Sequence, residues 1–322
     1  MIEKRKVVLV GTGFVGMSMA YSILNQGNSS GVNELVLIDV LKDKAIGEAM
    51  DLSHGLPCSP SHMKIKAGEY NECKDADIVV ITAGLNQKPG QTRLDLSTAN
   101  AKIMKDITEQ VVASGFNGIF LIASNPVDLM TKVVQEVSGF DPSKVIGSGT
   151  ALDTARLRYL VGEYLNVSNK NVHAYIMGEH GDSSFVPWEH AYVGCKKISD
   201  ILLDAHKDLK DLDKIYVEVR DAAYEIINRK KATYYGIGLG LTKIVKTILN
   251  STNEILTVSA YLKNQYGQND IYIGVPAIIN SEGARELLEL KLSDENQAKL
   301  DASAEILREN MNNIRKALKE SK

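Results

Sequence analysis

The chain has 322 residues, 44% of them hydrophobic and 24% charged, with a formal net charge of −3. That is enough material for one large or two ordinary domains around a sizeable core, and it leaves no basic field to hold nucleic acid. No uninterrupted apolar run is long enough to span a bilayer. Cys58, Cys73 and Cys195 are odd in number and scattered, which argues against a disulfide framework and for a reducing compartment. The opening residues Met1 to Lys6 lack the apolar core and small-residue cleavage site of a signal peptide, so the expected location is cytoplasmic.

Lys6 to Val10 is a β-branched run that ends at Gly11-Thr12-Gly13-Phe14-Val15-Gly16, and Met17 to Leu24 then reads as a helix closed by Asn25-Gln26-Gly27. A second apolar run, Glu34 to Asp39, ends in an acid about 20 residues past the last glycine. A G-x-G-x-x-G alone is weak evidence, but between a strand and a helix and followed by such an acid it is the dinucleotide-binding fingerprint. The glycines admit the pyrophosphate and the helix amino terminus supplies N–H donors and dipole. Asp39 would bind the ribose hydroxyls and repel a 2′-phosphate, which favours NAD over NADP. The competing reading is a tight turn before a packed helix.

His54, Cys58 and His62 invite a metal hypothesis, but the segment Asp51 to His62 carries Gly55, Pro57 and Pro60 and lacks paired ligand spacing. It is expected to be a surface turn, with no metal bound. Asp77 to Gly84 and Gly118 to Asn125 read as further strands, with a helix over Ala99 to Ser114 between them. Strands alternating with helices define an α/β, Rossmann-type doubly wound parallel sheet, whose ligands bind beyond the carboxyl ends of the strands, where Asp39, Gly84 and Asn125 all fall. Asn125-Pro126 is equally a natural strand stop.

Leu85 to Leu96, with Pro89-Gly90 at a turn and little to bury, suits a lid over substrate; an ordinary solvated loop with a surface arginine, Arg93, competes. Thr150 can cap a helix on which Asp153 and Arg156, three apart, share one face, either as working residues or as a simple ion pair. Asn171 to Met177 reads as a strand leading into Gly178-Glu179-His180-Gly181-Asp182-Ser183. Histidine is the side chain that can hold and release a proton near neutral pH, and the flanking glycines would let its ring sit at a cleft floor. Past Trp188, helices are expected over Leu212 to Arg229 and Gly236 to Leu249, short strands near Leu256 to Leu262 and Ile271 to Ile273, and a charged amphipathic helix from Ser293. The expected domains are 1–147, binding the dinucleotide, and 148–322, an α+β substrate and catalytic domain.

Taken together these motifs resemble the L-lactate dehydrogenases, over essentially the whole chain. Gly11-x-Gly13-x-x-Gly16 looks like that family's cofactor turn and Asn86 to Leu94 like its lid. Leu152-Asp153-Thr154-Ala155-Arg156-Leu157-Arg158 and Gly178 to Ser183 look like its catalytic segments. The resemblance implies NAD as cofactor, with Gly11, Gly13, Phe14, Val15, Gly16, Asp39, Gly84 and Asn125 as its binding residues. It implies pyruvate and L-lactate as substrates, with His180 as proton donor and acceptor, Asp153 orienting its ring, Arg156 gripping the substrate carboxylate and Arg93 polarising the carbonyl. Asn125 and Thr233 would line the pocket.

Malate dehydrogenases share most of these segments but carry an arginine where Gln87 stands, so Gln87 points to pyruvate rather than oxaloacetate. In bacterial relatives Arg158 and His173 match positions that bind fructose 1,6-bisphosphate between subunits of a homotetramer. Only ten residues precede Gly11, which implies that the bracing arm of the animal enzymes is missing. Gln91 departs mildly from the glutamate of many bacterial relatives. A malate or other 2-hydroxyacid dehydrogenase, and a catalytically silent NAD-binding regulatory protein, are the competing readings.

Overall fold

The computed structural model describes residues 5–85 and 93–320. Six strands, β1 (Lys6–Val10), β2 (Glu34–Ile38), β3 (Lys64–Ala67), β4 (Ile78–Ile81), β5 (Ile119–Ile122) and β6 (Val145–Gly147), pair in parallel in the order β3-β2-β1-β4-β5-β6. β1, β2, β4 and β5 are buried along their whole length. Helices on both faces explain why, after Lys6 and Glu34 at the first positions of β1 and β2, these strands read as continuous apolar runs rather than as alternating ones. Those helices include α1 (Phe14–Gln26), α2 (Lys42–Gly55), α3 (Arg93–Ala113) and α4 (Val127–Ser138). The strand order reverses between β1 and β4, which opens a crevice above their carboxyl ends.

The second half comprises α5 (Ala151–Leu165), β7 (Val172–His173), β8 (Tyr192–Val193), β9 (Lys196–Lys197), α6 (Ile198–Asp204), α7 (Lys210–Lys230) and α8 (Tyr235–Leu249). It continues with β10 (Glu254–Lys263), β11 (Asn269–Asn280), β12 (Gly283–Leu287) and α9 (Asp294–Glu320). The parallel sheet does not stop at β6. Ser259 of β10 lies antiparallel to Gly147 of β6, and β11 and β12 extend the sheet to nine strands. Gly149, at φ +50°, makes the turn beside this joint, where a Cβ would come within 2.2 Å of the Ser259 nitrogen. One core follows the long sheet. A second, including Leu157, Val161, Ile176, Leu202 and Val219, sits beneath α5, α7 and the small sheet β7-β8-β9.

Several local expectations are corrected. Asp51 to Gly55 is the last part of α2 rather than a turn, because Ala45, Ala49 and Leu52 bury one side of the helix at helical spacing. α3 begins at Arg93, six residues before the expected Ala99. Asn171 to Met177 is not one strand: only Val172 and His173 pair in the small sheet, and Met177 forms an isolated bridge to Phe185. Ile176 instead has its backbone satisfied by two threonines of the α5 region. Its N–H donates to Thr154 Oγ1 at 2.9 Å, and its carbonyl accepts from Thr150 Oγ1 at 2.6 Å. Thr150 therefore stands at the start of α5 without capping it through its side chain.

Candidate active site

α5 begins at the end of the sheet joint and carries Asp153 and Arg156 one turn apart on one face. The loop 178–184 returns beneath it, fixed by paired backbone hydrogen bonds between Gly178 and Gly274 of 3.0 and 2.9 Å. Gly178 takes φ +99°, a conformation that favours glycine. The result brings His180 to Asp153: ring Nδ1 and Asp153 Oδ2 are 2.6 Å apart, while the other carboxylate oxygen accepts from Arg156 Nη1 at 2.9 Å. One carboxylate thus joins an imidazole and a guanidinium. The three side chains are only 29%, 14% and 16% exposed for His180, Asp153 and Arg156.

Burial opposes the charge on Asp153, but the charge and hydrogen bond of His180, followed by those of Arg156, outweigh it and hold the carboxyl below its ordinary range. Burial likewise disfavours imidazolium at His180. The Asp153 charge and hydrogen bond win, with Asp128 adding to them and Arg156 opposing, so the ring's pKa is raised. An ionised Asp153 can only accept, so Nδ1 carries its proton and Nε2 is the atom that exchanges one with a ligand. Arg156 keeps Nη2 and Nε unengaged among the described residues, which leaves donors for a carboxylate.

A cavity of about 680 Å³, bounded by described residues, contains this pair. Asn125, Asp153, Arg156, His180, Tyr224 and Ile227 are among its lining. Asn125 follows β5. Its carbonyl accepts from Asn100 Nδ2 at 2.8 Å, and Asn100 Oδ1 accepts from the Leu85 N–H at 2.8 Å, so one buried amide ties the ends of two strand-following loops together. Thr233 lies half-buried in the turn between α7 and α8 and is not among the cavity's described lining. Next to it, Tyr234 stacks on Phe14 at 5.1 Å, linking that turn to the start of α1. Gln87 lies outside the described residues. Arg93 heads α3, and its side chain also lies outside them.

The residues over β1 fit a dinucleotide. Gly11 has φ +102°, and a Cβ there would meet the Ala83 nitrogen at 2.6 Å, while one at Gly16 would meet the Gly11 carbonyl oxygen at 2.3 Å. A Cβ at Gly13 would meet no protein atom within 4 Å, so that glycine keeps space open at the amino end of α1. α1 has no acidic residue in its first turn to offset its positive end. Phe14 is exposed there, Val15 is half-buried, and Gly84 is exposed beyond β4. Asp39 stands at the end of β2, where Oδ2 accepts from Thr12 N–H and Oγ1 at 2.8 and 2.9 Å and Oδ1 from Leu41 N–H at 3.0 Å. Burial opposes its charge, but these donors prevail and keep its pKa low, leaving an anionic acceptor suited to ribose hydroxyls.

Neither Arg158 nor His173 is among the cavity's described lining. Arg158 Nε donates to the carbonyl of Ala174 at 3.0 Å, and its guanidinium lies 5.1 Å from the centre of the Tyr175 ring; His173 is exposed on β7. Three residues that hold the loop 178–184 or the cavity's Asn125 in place carried no signal in the sequence. Asp128 Oδ2 accepts from the His180 N–H at 2.9 Å. Ser303 of α9 accepts from the Glu179 N–H at 2.7 Å. Asn100 is the third. Each acts on a partner far away in the chain, and a short motif cannot carry that.

The fold and site define a dinucleotide-dependent oxidoreductase. Residues 5–147 match the family described as lactate/malate dehydrogenase, NAD binding domain, and residues 150–318 match lactate/malate dehydrogenase, alpha/beta C-terminal domain. The chain belongs to the lactate/malate dehydrogenase family and uses NAD. Among similar proteins, L-lactate dehydrogenase 2 of Bacillus anthracis is 57% identical over 307 residues, covering 95% of this chain and 97% of that one. L-lactate dehydrogenase 1 of Bacillus thuringiensis subsp. konkukian is 55% identical over the same lengths. A solved lactate dehydrogenase from a Medee basin deep-sea metagenome library aligns with TM-score 0.94 at 53% identity, covering 97% of this chain and 99% of that one. The minor L-lactate dehydrogenase from Enterococcus mundtii in its ligands-bound form aligns with TM-score 0.93 at 49% identity, covering 96% and 98%.

Since the carboxylate of Asp153 is what raises the His180 pKa, Asp153→Asn should lower it. Titration of the His180 ring followed by NMR reads this directly; a midpoint that does not move would contradict the electrostatic account.

Proposed function

We propose that the chain is an L-lactate dehydrogenase that interconverts pyruvate and L-lactate. The observation that carries this is the shared carboxylate: a ring able to lend a proton and a guanidinium able to hold an acid group are fixed to one aspartate beside one cavity. When bound, NADH supplies the hydride that adds to the carbonyl carbon. The carbonyl oxygen gains negative charge in that step, and protonated His180 gives it the Nε2 proton, leaving neutral imidazole and a hydroxyl; lactate oxidation runs the same transfer backwards. Asp153 keeps the ring in one tautomer and stabilises its charged form. Arg156 binds the substrate carboxylate through parallel hydrogen bonds, and Asn125 bounds the pocket; a place for Thr233 there is supported by the family resemblance alone, since it stands outside the cavity's described lining. Arg93 polarises the carbonyl oxygen, a role that the family resemblance supports.

Gln87 sets the substrate. Pyruvate presents a methyl group where oxaloacetate presents a second carboxylate, and a neutral glutamine leaves that charge unpaired. In a desolvated site this costs oxaloacetate on the order of several kcal/mol. In this reading residues 1–147 bind NAD and residues 148–322 carry the proton transfer and substrate grip, in a cytoplasmic homotetramer. Arg158 and His173 serve as a site for fructose 1,6-bisphosphate, where two copies of each gather cationic donors around two phosphates. What supports it locally is that Arg158 donates to the carbonyl of Ala174, the residue that follows His173.

Steady-state NADH oxidation with pyruvate and with oxaloacetate tests the reading: pyruvate turnover should dominate, and no turnover with either would leave a silent nucleotide-binding protein. Gln87→Arg should raise the oxaloacetate-to-pyruvate ratio of kcat/KM by roughly 100-fold or more, and continued dominance of pyruvate would overturn the specificity argument. Adding the bisphosphate should shift the pyruvate saturation curve by roughly fivefold or more in substrate concentration; a curve that stays put rejects activation.

A further inference from the structure

His180 is held from two sides, by two different carboxylates on two different helices. Asp153 of α5 takes the ring. Asp128 of α4 takes the backbone: its Oδ2 accepts from the His180 N–H at 2.9 Å, and its Oδ1 accepts from Ser259 Oγ at 2.6 Å. Asp128 is 3% exposed. Ser259 is the residue of β10 that pairs with Gly147 of β6, so the carboxylate is itself aimed by the joint between the parallel and antiparallel parts of the sheet. An aspartate in the core is costly unless its acceptors are used. Here both oxygens are used, and one of them on the single backbone N–H that decides where the catalytic ring is planted.

We infer that Asp128 is a positioning residue for His180, fixing the peptide from which the proton-transferring ring projects, with Ser259 fixing Asp128 in turn. The inference rests on the proton-transfer role assigned to His180 above. An error of one ångström in the placement of a catalytic group costs rate rather than binding, and the grip on substrate comes from Arg156, which Asp128 does not touch. Removing the brace should therefore lower kcat and leave the KM for pyruvate nearly unchanged.

The carboxylate also acts through its charge. Burial pushes the Asp128 pKa up to about 6, opposed by the hydrogen bonds from Ser259 and the His180 N–H and by the His180 charge, and assisted by Glu179. At neutral pH it is thus mostly ionised, and its charge adds to that of Asp153 in favouring imidazolium. Among the described residues the charged groups around the ring and its cavity are Asp153 and Arg156 from α5, Asp128 from α4, Glu179 and Asp182 from its own loop, and Arg220 from α7 across the cavity. Taking away one negative charge while the others stay lowers the His180 pKa. Pyruvate reduction needs the protonated ring, so the alkaline limb of its pH profile moves to lower pH.

The two parts separate by substitution. In Asp128→Asn the amide oxygen can still accept from the His180 N–H and the NH₂ can donate to Ser259 Oγ, because a hydroxyl can reverse its role; the brace survives and the charge is gone. In Asp128→Ala both are gone. The experiment measures kcat, KM for pyruvate and the pH profile of NADH oxidation for both variants, for Ser259→Ala and for His180→Asn, with NADH binding by fluorescence as a check of folding. The expected result for Asp128→Ala is a loss of kcat of roughly 100-fold with KM within a few-fold. Asp128→Asn should recover most of that kcat while its alkaline limb sits at lower pH, and Ser259→Ala should lower kcat without raising KM.

Wild-type kcat in a folded Asp128→Ala overturns the inference. So do equal losses in the Ala and Asn variants with no movement of the limb. If the Ala variant does not fold, an unmoved limb in Asp128→Asn together with unchanged kcat in Ser259→Ala overturns it. An active His180→Asn would remove the proton-transfer reading and this inference with it, whereas an inactive His180→Asn beside unaffected Asp128 variants removes this inference alone.

Discussion

The site depends on one carboxylate serving two cations. Asp153 gives one oxygen to the His180 ring and the other to Arg156. That arrangement determines which ring nitrogen can exchange a proton, keeps the ring able to be charged inside a cavity, and sets the distance between the imidazole and the guanidinium. None of the three groups could sit alone at such low exposure without a large desolvation cost. Together they form a unit in which one carboxylate offsets one of two cations, and all three residues line the cavity.

The rest of the fold brings the two chain segments of this unit together and holds them. α5 leaves directly from the joint where the parallel sheet gives way to antiparallel strands, so Asp153 and Arg156 are anchored beside that joint. The His180 loop arrives by a route with little regular structure and is held by unrelated partners: the Gly274 backbone, Ser303, Asp128 and Asp153. A loop held this way gains precision from side chains and from neighbouring strands instead of from its own secondary structure. On the other side of the crevice, the glycine turn, the amino end of α1 and Asp39 form a separate anionic-ligand surface, and Phe14 stacked on Tyr234 connects it to the turn that bears Thr233.

Much of this was readable in the sequence because burial leaves its mark there. Beyond the charged first residues Lys6 and Glu34, β1, β2, β4 and β5 are apolar because helices cover both faces, and the glycine fingerprint and Asp39 sit where a parallel sheet must put them. α2 was hidden because its apolar stripe consists of two alanines and a leucine and its end runs into prolines. β3 is an edge strand with lysines at Lys64 and Lys66, and β12 carries Arg285 and Glu286, so neither shows an apolar pattern. The stretch before His180 looks like a strand by composition, yet Thr150 and Thr154 satisfy Ile176 in place of a neighbouring strand. Asp153 and Arg156 could be paired by their spacing, but Asp128 and Ser303 reach the loop from 52 and 124 residues away, a relation that exists only once the chain is folded.

The most direct test of the shared-carboxylate site is a crystal structure with NADH and oxamate, the amide that matches pyruvate in shape and charge. The account predicts the oxamate carboxylate in parallel hydrogen bonds with Arg156, its carbonyl oxygen about 2.6–3.2 Å from His180 Nε2, and Asp153 still bonded to both residues. An oxamate carboxylate seated away from Arg156, or a His180 ring turned out of reach of the carbonyl oxygen, would contradict it.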